Sequence, residues 1–221
     1  MTDLVEPRVE RAVELADGRS IGVAEFGSPD GRTIVWLHGT PGARRQVPPA
    51  ARALTESGEI RIIGVERPGV GLSTPHLHRN VAGFAEDVEQ VLDAVGADAV
   101  GGIGLSGGGP YTLACAHRLE DRVAAAVVLG GVAPTTGDEA VPGGLVDLAH
   151  RFRLPLGWLR APLGAGMTVL ARALRPVEGP MLELYARVSP EGDRRAFASP
   201  GMKRMFLDDL GTGAAGAGLL S

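Results

Sequence analysis

The segment Gly104-Leu105-Ser106-Gly107-Gly108 has the pattern G-x-S-x-G, in which a serine lies between small residues. It directly follows an apolar, strand-like run and precedes a segment compatible with a helix. The pattern therefore predicts a tight strand-to-helix turn with Ser106 at its tip. Such a turn exposes the serine hydroxyl above the sheet, and the helix N-terminus beneath it offers unpaired N–H groups. This arrangement is typical of a nucleophilic serine.

A second loop, His38-Gly39-Thr40-Pro41-Gly42, follows the short apolar strand Thr33–Leu37. In open α/β sheets, ligands bind at the end of the sheet where such loops lie. We expect the backbone N–H groups of Thr40 and Gly107 to form an oxyanion hole, which binds the negatively charged oxygen of a tetrahedral intermediate. Taken alone, the loop is equally compatible with an ordinary Gly-Pro turn.

Two other glycine-rich patterns need a different interpretation. The run from Glu66 to Ser73 is a tight loop at the same edge of the sheet, and we interpret it as a structural turn into the next helix. The stretch Gly102–Gly107 also satisfies G-x-G-x-x-G, the pattern of a dinucleotide site. That site requires a carboxylate at the end of the following strand, but the strand ends in Leu129-Gly-Gly-Val132. We therefore expect no cofactor, and the absence of H-E-x-x-H and C-x-x-C patterns predicts no metal site.

The histidines were considered as partners for Ser106. His38 belongs to the loop after Thr33–Leu37, where a structural role is expected. His117 lies nearly three helical turns beyond the serine, and His150 falls on a later helix where a surface position is expected. His76 and His78 follow the second parallel strand and lie at the correct edge of the sheet, so one of them could act as a substitute base.

Hydrophobic periodicity and turn residues predict the elements that position these loops. Two strands joined by Asp17-Gly18 predict a hairpin, and further strands alternate with helices in β-α order. The predicted strands are Val9–Ala16, Ser20–Phe26, Thr33–Leu37, Ile60–Val65, Ala99–Leu105 and Val123–Leu129. The predicted helices are Pro49–Ser57, a helix capped by Asn80 and ended by Gly96, and Gly108–Leu119. This order predicts an α/β fold with a mostly parallel sheet, an N-terminal antiparallel hairpin and helices on both faces.

After Pro134 only helical segments are predicted, which indicates a helical cap over the carboxyl edge of the sheet. These segments are Leu145–Arg153, Pro162–Leu174, Pro180–Val188, Pro190–Ala198 and Met202–Leu210. The predicted organisation is a core at residues 1–134, a cap at residues 135–210 and a Gly/Ala-rich tail at residues 211–221, which is expected to be poorly ordered.

Composition excludes several classes of partner. Lys and Arg number 22 against 26 Asp and Glu, a net charge of −4, so neither nucleic acid nor a membrane surface is an expected partner. The single cysteine, Cys115, cannot form an internal disulfide and is expected to be a buried, inert thiol. The N-terminus has no apolar signal region and no run is long enough to span a membrane, which predicts a cytoplasmic protein. The expected partner is a small-molecule substrate. The oligomeric state is not predictable.

The motifs HGTPG, ERPGVGLS and GLSGGGPYTLACA occur in an order and spacing that resemble the α/β-hydrolase fold family, in particular its capped serine esterase, lipase and aminopeptidase-like group. The resemblance implies that Ser106 is the nucleophile, that Thr40 and Gly107 form the oxyanion hole, and that no cofactor is needed. One small departure is Glu66, where Asp is commoner in the family.

A larger departure concerns the catalytic acid and base. The family orders its triad Ser, then Asp or Glu, then His, with the last two on strands beyond the cap. We therefore expect this chain to be C-terminally truncated, with the final strands absent, the acid and histidine beyond residue 221, and the chain itself inactive. Asp138 is the one candidate for an acid in another position, although a solvated loop carboxylate is the favoured interpretation. The alternative function is a non-catalytic, hydrolase-like binding protein or a truncated product.

Overall fold

The computed structural model describes residues 4–134, 138–141, 179, 183, 187 and 191–213. Six strands in this part of the chain form one sheet in the order β1-β2-β4-β3-β5-β6. The strands are β1 (Val9–Glu14), β2 (Ser20–Phe26), β3 (Arg32–Leu37), β4 (Ile60–Val65), β5 (Val100–Leu105) and β6 (Val123–Leu129). Because β1 pairs antiparallel with β2, β2 pairs antiparallel with β4, and the other four strands are parallel, the predicted fold class is confirmed.

Short polar and glycine-containing turns set the limits of the elements. The hairpin between β1 and β2 turns at Gly18, where φ is +82°. β1 ends at Glu14 rather than at the predicted Ala16, because the N–H of Leu15 already bonds to the carbonyl of Arg19 across the turn. Asn80 accepts a hydrogen bond from the N–H of Gly83 through its side chain, but the residue that precedes the helix is Ala82, so Asn80 lies two residues before the cap position predicted for it.

Helices cover both faces of the sheet, as predicted. They are α1 (Pro49–Leu54), α2 (Gly83–Val95), α3 (Gly109–Arg118), α4 (Glu191–Ala198) and α5 (Pro200–Gly213). Alternate side chains of β3 point to opposite faces, so Val35 and Leu37 pack in a core that includes α2, whereas Trp36 packs with Val47 in a second core. The sheet is therefore held between two apolar layers.

Two of the predicted cap helices correspond to helices α4 and α5. The last helix does not end at Leu210 but continues to Gly213, so residues 211–213 are helical rather than part of a poorly ordered tail. The predicted segments Leu145–Arg153 and Pro162–Leu174, and most of Pro180–Val188, lie outside the described residues. The division into core, cap and tail stays a prediction.

β6 is the edge strand of the described sheet, and most of its residues are exposed. Val127 is 48% exposed and Leu129 is 42% exposed. In the part of the chain that the structure describes, no helix is long and apolar enough to cross a membrane.

Candidate active site

The strand order brings the three loops singled out in the sequence to one edge of the sheet. β3 lies between β4 and β5, and all three strands run parallel. Their carboxyl ends therefore lie side by side, and the loops that follow them are neighbours in space. We call residues 38–48, which connect β3 to α1, the β3–α1 loop.

Ser106 lies at a sharp turn between β5 and α3. Its φ is +48°, the only positive φ among the non-glycine residues that the structure describes. A non-glycine residue in this left-handed region costs about 1–3 kcal/mol and persists only where the surroundings impose it. Ser106–Gly108 form a 3-10 turn, so α3 begins at Gly109, one residue later than predicted. The strand-to-helix turn expected from G-x-S-x-G is therefore present.

Packing around this turn explains why its neighbours are glycines. A Cβ atom added at Gly104 would lie 2.3 Å from Thr112 Oγ1, and one added at Gly108 would lie 2.1 Å from the Leu37 carbonyl oxygen. Both distances are far below van der Waals contact, and the second is to backbone that cannot easily move. Thr112 Oγ1 also donates a hydrogen bond of 3.1 Å to the carbonyl oxygen of Gly108, which ties α3 to the turn. The turn is thus pressed against the end of β3.

The structure places Thr40 and Gly107 beside Ser106. The Cβ position of Gly107 lies 3.5 Å from the backbone nitrogen of Thr40, and the Cβ position of Gly39 lies 3.5 Å from Ser106 Cβ. Ser106 is half-buried and Thr40 is exposed, so the cluster is open to solvent. The three residues expected to act together are therefore neighbours.

A buried arginine that the sequence did not single out supports the β3–α1 loop. The Arg67 guanidinium donates to the carbonyl oxygens of His38 at 2.7 Å and Gly39 at 3.0 Å, and to Thr40 Oγ1 at 2.6 Å. It also lies over the Tyr111 ring, with its central carbon 5.4 Å from the ring centre. Burial lowers the pKa of Arg67 to about 10. The group therefore remains charged near neutral pH while it holds three consecutive residues of the loop.

Gln46 closes the same loop from the other side. Its Oε1 accepts a hydrogen bond of 2.6 Å from the N–H of Gly39, and its Nε2 donates to the Pro41 carbonyl at 2.9 Å. The loop also contains a cis peptide bond between Thr40 and Pro41. The Gln46 side chain thus bridges Gly39 and Pro41, the residues on either side of Thr40.

His38 cannot act as a base for Ser106, in agreement with the structural role expected from the sequence. The ring is buried, its Nδ1 donates to the Gly39 carbonyl at 2.8 Å, and its Nε2 accepts the N–H of Arg67 at 3.2 Å. Burial, together with the charge of Arg67, holds the pKa of His38 well below its usual value. The imidazole is therefore neutral, and both of its nitrogens are engaged.

Glu66 also has a structural role. One carboxylate oxygen accepts from Arg44 at 2.7 Å, and the other accepts the N–H of Leu72 at 2.7 Å. A Cβ at Gly71 would lie 1.9 Å from this carboxyl group, which explains the glycine of the second motif. Burial raises the pKa of Glu66, although the charge of Arg44 opposes this. The run from Glu66 to Ser73 therefore serves as the tight turn that the sequence predicted.

The remaining candidates for a base or acid do not contact Ser106 in the described part of the chain. His78 Nε2 lies 2.9 Å from Asp87 Oδ2, and the His76 ring packs against the His78 ring. His117 is exposed near the end of α3, and Asp138 is exposed. His150 lies outside the described residues. Among the described residues there is also no cluster of side chains suited to a metal ion.

Curated relatives of similar sequence include proline iminopeptidases. The chain is 27% identical over 133 residues to a proline iminopeptidase of Neisseria meningitidis. The aligned region covers 59% of this chain and 42% of that protein. It is 28% identical over 129 residues to a proline iminopeptidase of Arabidopsis thaliana, covering 57% of this chain and 33% of the relative. The chain therefore matches less than half the length of these curated relatives.

Solved structures share the fold. A hydrolase from Pseudomonas aeruginosa PA01 superposes with a TM-score of 0.59 at 18% identity, over 95% of this chain and 71% of the other. An alpha/beta hydrolase fold protein from Nakamurella multipartita superposes with a TM-score of 0.56 at 25% identity, over 94% of this chain and 68% of the other. The family model for the alpha/beta hydrolase fold matches residues 32–204. The chain therefore belongs to the alpha/beta hydrolase fold family.

Proposed function

We propose that the protein is a serine hydrolase that cleaves an ester or amide bond of a small-molecule substrate, with Ser106 as the nucleophile. The observation that carries this proposal is the left-handed backbone of Ser106, whose φ is +48°, on a turn pressed against the loop that contains Thr40. No other non-glycine residue in the described part of the chain has a positive φ. The names of the iminopeptidase relatives support hydrolysis of an amide bond.

In the proposed reaction, the Ser106 hydroxyl attacks the carbonyl carbon of the substrate while a histidine base accepts its proton. The N–H groups of Thr40 and Gly107 donate to the oxygen that becomes negatively charged. Collapse of this intermediate expels an alcohol or amine, which takes the proton from the histidine and leaves an ester on Ser106. Water then attacks that ester, and the acid product leaves as the serine hydroxyl is restored.

The base of this scheme is proposed to lie outside the described residues. His38 is neutral with both nitrogens engaged, and His78 pairs with Asp87. No described residue hydrogen-bonds to the Ser106 hydroxyl. Because most of the activation of a serine nucleophile comes from its base, the rate at which Ser106 reacts reports whether a base contacts it.

A fluorophosphonate probe tests the proposal, because it phosphonylates nucleophilic serines and its site can be mapped by mass spectrometry. We expect slow labelling of the 221-residue chain at Ser106 and none at that peptide in Ser106→Ala. A second variant, Ser73→Ala, changes a buried serine in the neighbouring loop and should leave the labelling of Ser106 unchanged.

The outcomes separate the parts of the proposal. Rapid labelling at Ser106 would show that a base is already present, and His150→Ala, His78→Ala and His76→Ala would then identify it. Labelling no faster than that of a surface serine such as Ser57 would contradict the nucleophile assignment and favour a hydrolase-like binding protein.

A further inference from the structure

Helix α5 carries two consecutive carboxyl groups that contact the β3–α1 loop. Asp209 Oδ2 accepts a hydrogen bond of 2.9 Å from the N–H of Ala43, and Asp208 Oδ1 accepts one of 2.8 Å from the Arg45 guanidinium. The Asp209 contact joins residues that are 166 positions apart in the sequence. Helix α5 is thus attached to the same loop that holds Thr40.

Asp209 differs from the other buried carboxyl groups of the described chain. Glu25, Glu66 and Asp87 each form an ion pair with an arginine. Asp209 is completely buried and forms no ion pair with a described residue. Its Oδ1 has no hydrogen-bond partner among the described residues. A buried carboxylate in this situation is unfavourable for stability, so a role other than stability has to be considered for it.

The surroundings of Asp209 make its protonation state sensitive to pH. Burial raises its pKa to about 7, the Ala43 N–H opposes this, and the negative charges of Glu66 and Asp208 add to it. Its charged neighbours lie on several elements and partly neutralise one another: Glu10 on β1, Arg44 and Arg45 on the loop, Arg52 on α1, Glu66 after β4 and Asp208 on α5. The raised pKa of Asp209 therefore brings its protonation closer to neutral pH than that of an exposed aspartate.

The loop can transmit a change at Ala43 to Thr40. The N–H of Gln46 bonds to the Ala43 carbonyl at 3.2 Å, and the Gln46 side chain bonds to Gly39 and to Pro41. The space at Gly42 is filled by Gln46, since a Cβ there would lie 2.5 Å from its Nε2. Residues 39–46 therefore form a closed turn that moves as a unit.

We propose that Asp209 is a positioning residue that, through the Ala43 N–H, fixes the β3–α1 loop with the Thr40 N–H beside Ser106, and that protonation of its carboxyl group loosens this loop. The carboxylate is a stronger acceptor for an N–H than the protonated acid. The loop is therefore held most firmly above neutral pH. The link to catalysis rests on the proposed roles of Thr40 and Ser106.

Nuclear magnetic resonance of the intact chain tests the link between Asp209 and Thr40 without measuring hydrolysis. Between about pH 5 and pH 9, the range that brackets a carboxyl group shifted to neutral pH, the side-chain carbon of Asp209 and the amides of Ala43 and Thr40 should titrate with one midpoint. The ring signals of His76 and His78, followed in the same spectra, are the control. A Thr40 amide that does not move, or that follows the histidines, overturns the proposal.

Two variants and a matched control add to this test. In Asp209→Asn the neutral amide mimics the protonated acid, so the Thr40 amide should stay near its low-pH position and lose its titration. In Asp209→Ala the Thr40 amide should be displaced and exchange faster with solvent. Asp208→Asn removes the negative charge that pairs with Arg45 and Arg52 and that helps to raise the pKa of Asp209, so the shared titration should persist with its midpoint at lower pH. Persistence of the titration in Asp209→Asn contradicts the proposal.

Fluorophosphonate labelling separates this inference from the proposed function. Above neutral pH, loss of one hydrogen bond that positions an oxyanion donor should slow the labelling of Ser106 by about tenfold in Asp209→Ala, with Asp209→Asn between that variant and the unmodified chain. If Ser106 is not the nucleophile, labelling is absent in every variant while the shared titration remains. If Asp209 does not position the loop, Ser106 is labelled equally in all of them.

Discussion

Replacing Ser106 by alanine and by glycine measures the backbone strain on which the nucleophile assignment depends. At a φ of +48° an alanine is strained, whereas a glycine is not. Left-handed strain costs about 1–2 kcal/mol, and glycine loses about 0.4–1 kcal/mol through the greater freedom of the unfolded chain. The Ser106→Gly variant should therefore exceed Ser106→Ala in free energy of unfolding by about 0.5–1 kcal/mol. Since no described residue hydrogen-bonds to the hydroxyl, the two variants differ only by the Cβ atom that alanine keeps and glycine lacks.

The assay is denaturant unfolding followed by circular dichroism, with the slope of the transition checked for constancy. Glu89, an exposed residue within α2, provides the matched control. There the order should reverse, with Glu89→Ala more stable than Glu89→Gly by about 1 kcal/mol, the difference expected in an ordinary helix. An alanine variant at position 106 that equals or exceeds the glycine variant would refute the strained turn.

Three further outcomes are expected. Gly108→Val should prevent cooperative folding or greatly lower the melting temperature, because its Cβ would lie 2.1 Å from the Leu37 carbonyl oxygen; normal melting would contradict this packing. Cys115, whose thiol pKa is raised to about 12 by burial, should react with a thiol reagent such as iodoacetamide only after unfolding, and rapid reaction in the folded chain would contradict its burial. For Asp209, a folded pKa of about 7 against 3.8 for the unfolded carboxyl means that the folded state binds the proton more tightly, so unfolding free energy falls as pH rises through this interval. Urea titration measures how much more stable Asp209→Asn is than the unmodified chain. This difference in unfolding free energy should grow across the same pH interval. A constant difference would show that Asp209 does not titrate there.

Patterns local in sequence were sufficient for most of the fold. The alternation of strands and helices predicted the mostly parallel sheet, because a strand followed by a helix and another strand favours a parallel crossover. The glycines around Ser106 predicted the strand-to-helix turn, since their spacing reflects the backbone packing within a few residues of the serine. The boundaries were less exact, as at β1 and at the end of α5, because hydrogen bonds across turns decide where an element ends.

The sequence by itself determined which residues are candidates for chemistry and which elements carry them. The tertiary structure decided what holds those residues in place. The contacts of Arg67 with the β3–α1 loop, and of Asp209 with Ala43, join distant parts of the chain and depend on the strand order and the docking of α5. The raised pKa of Asp209 likewise follows from burial, which removes water from the carboxyl group only after these elements pack together. No local pattern contains that information, because an aspartate in an amphipathic helix has the same sequence context whether it faces solvent or the core.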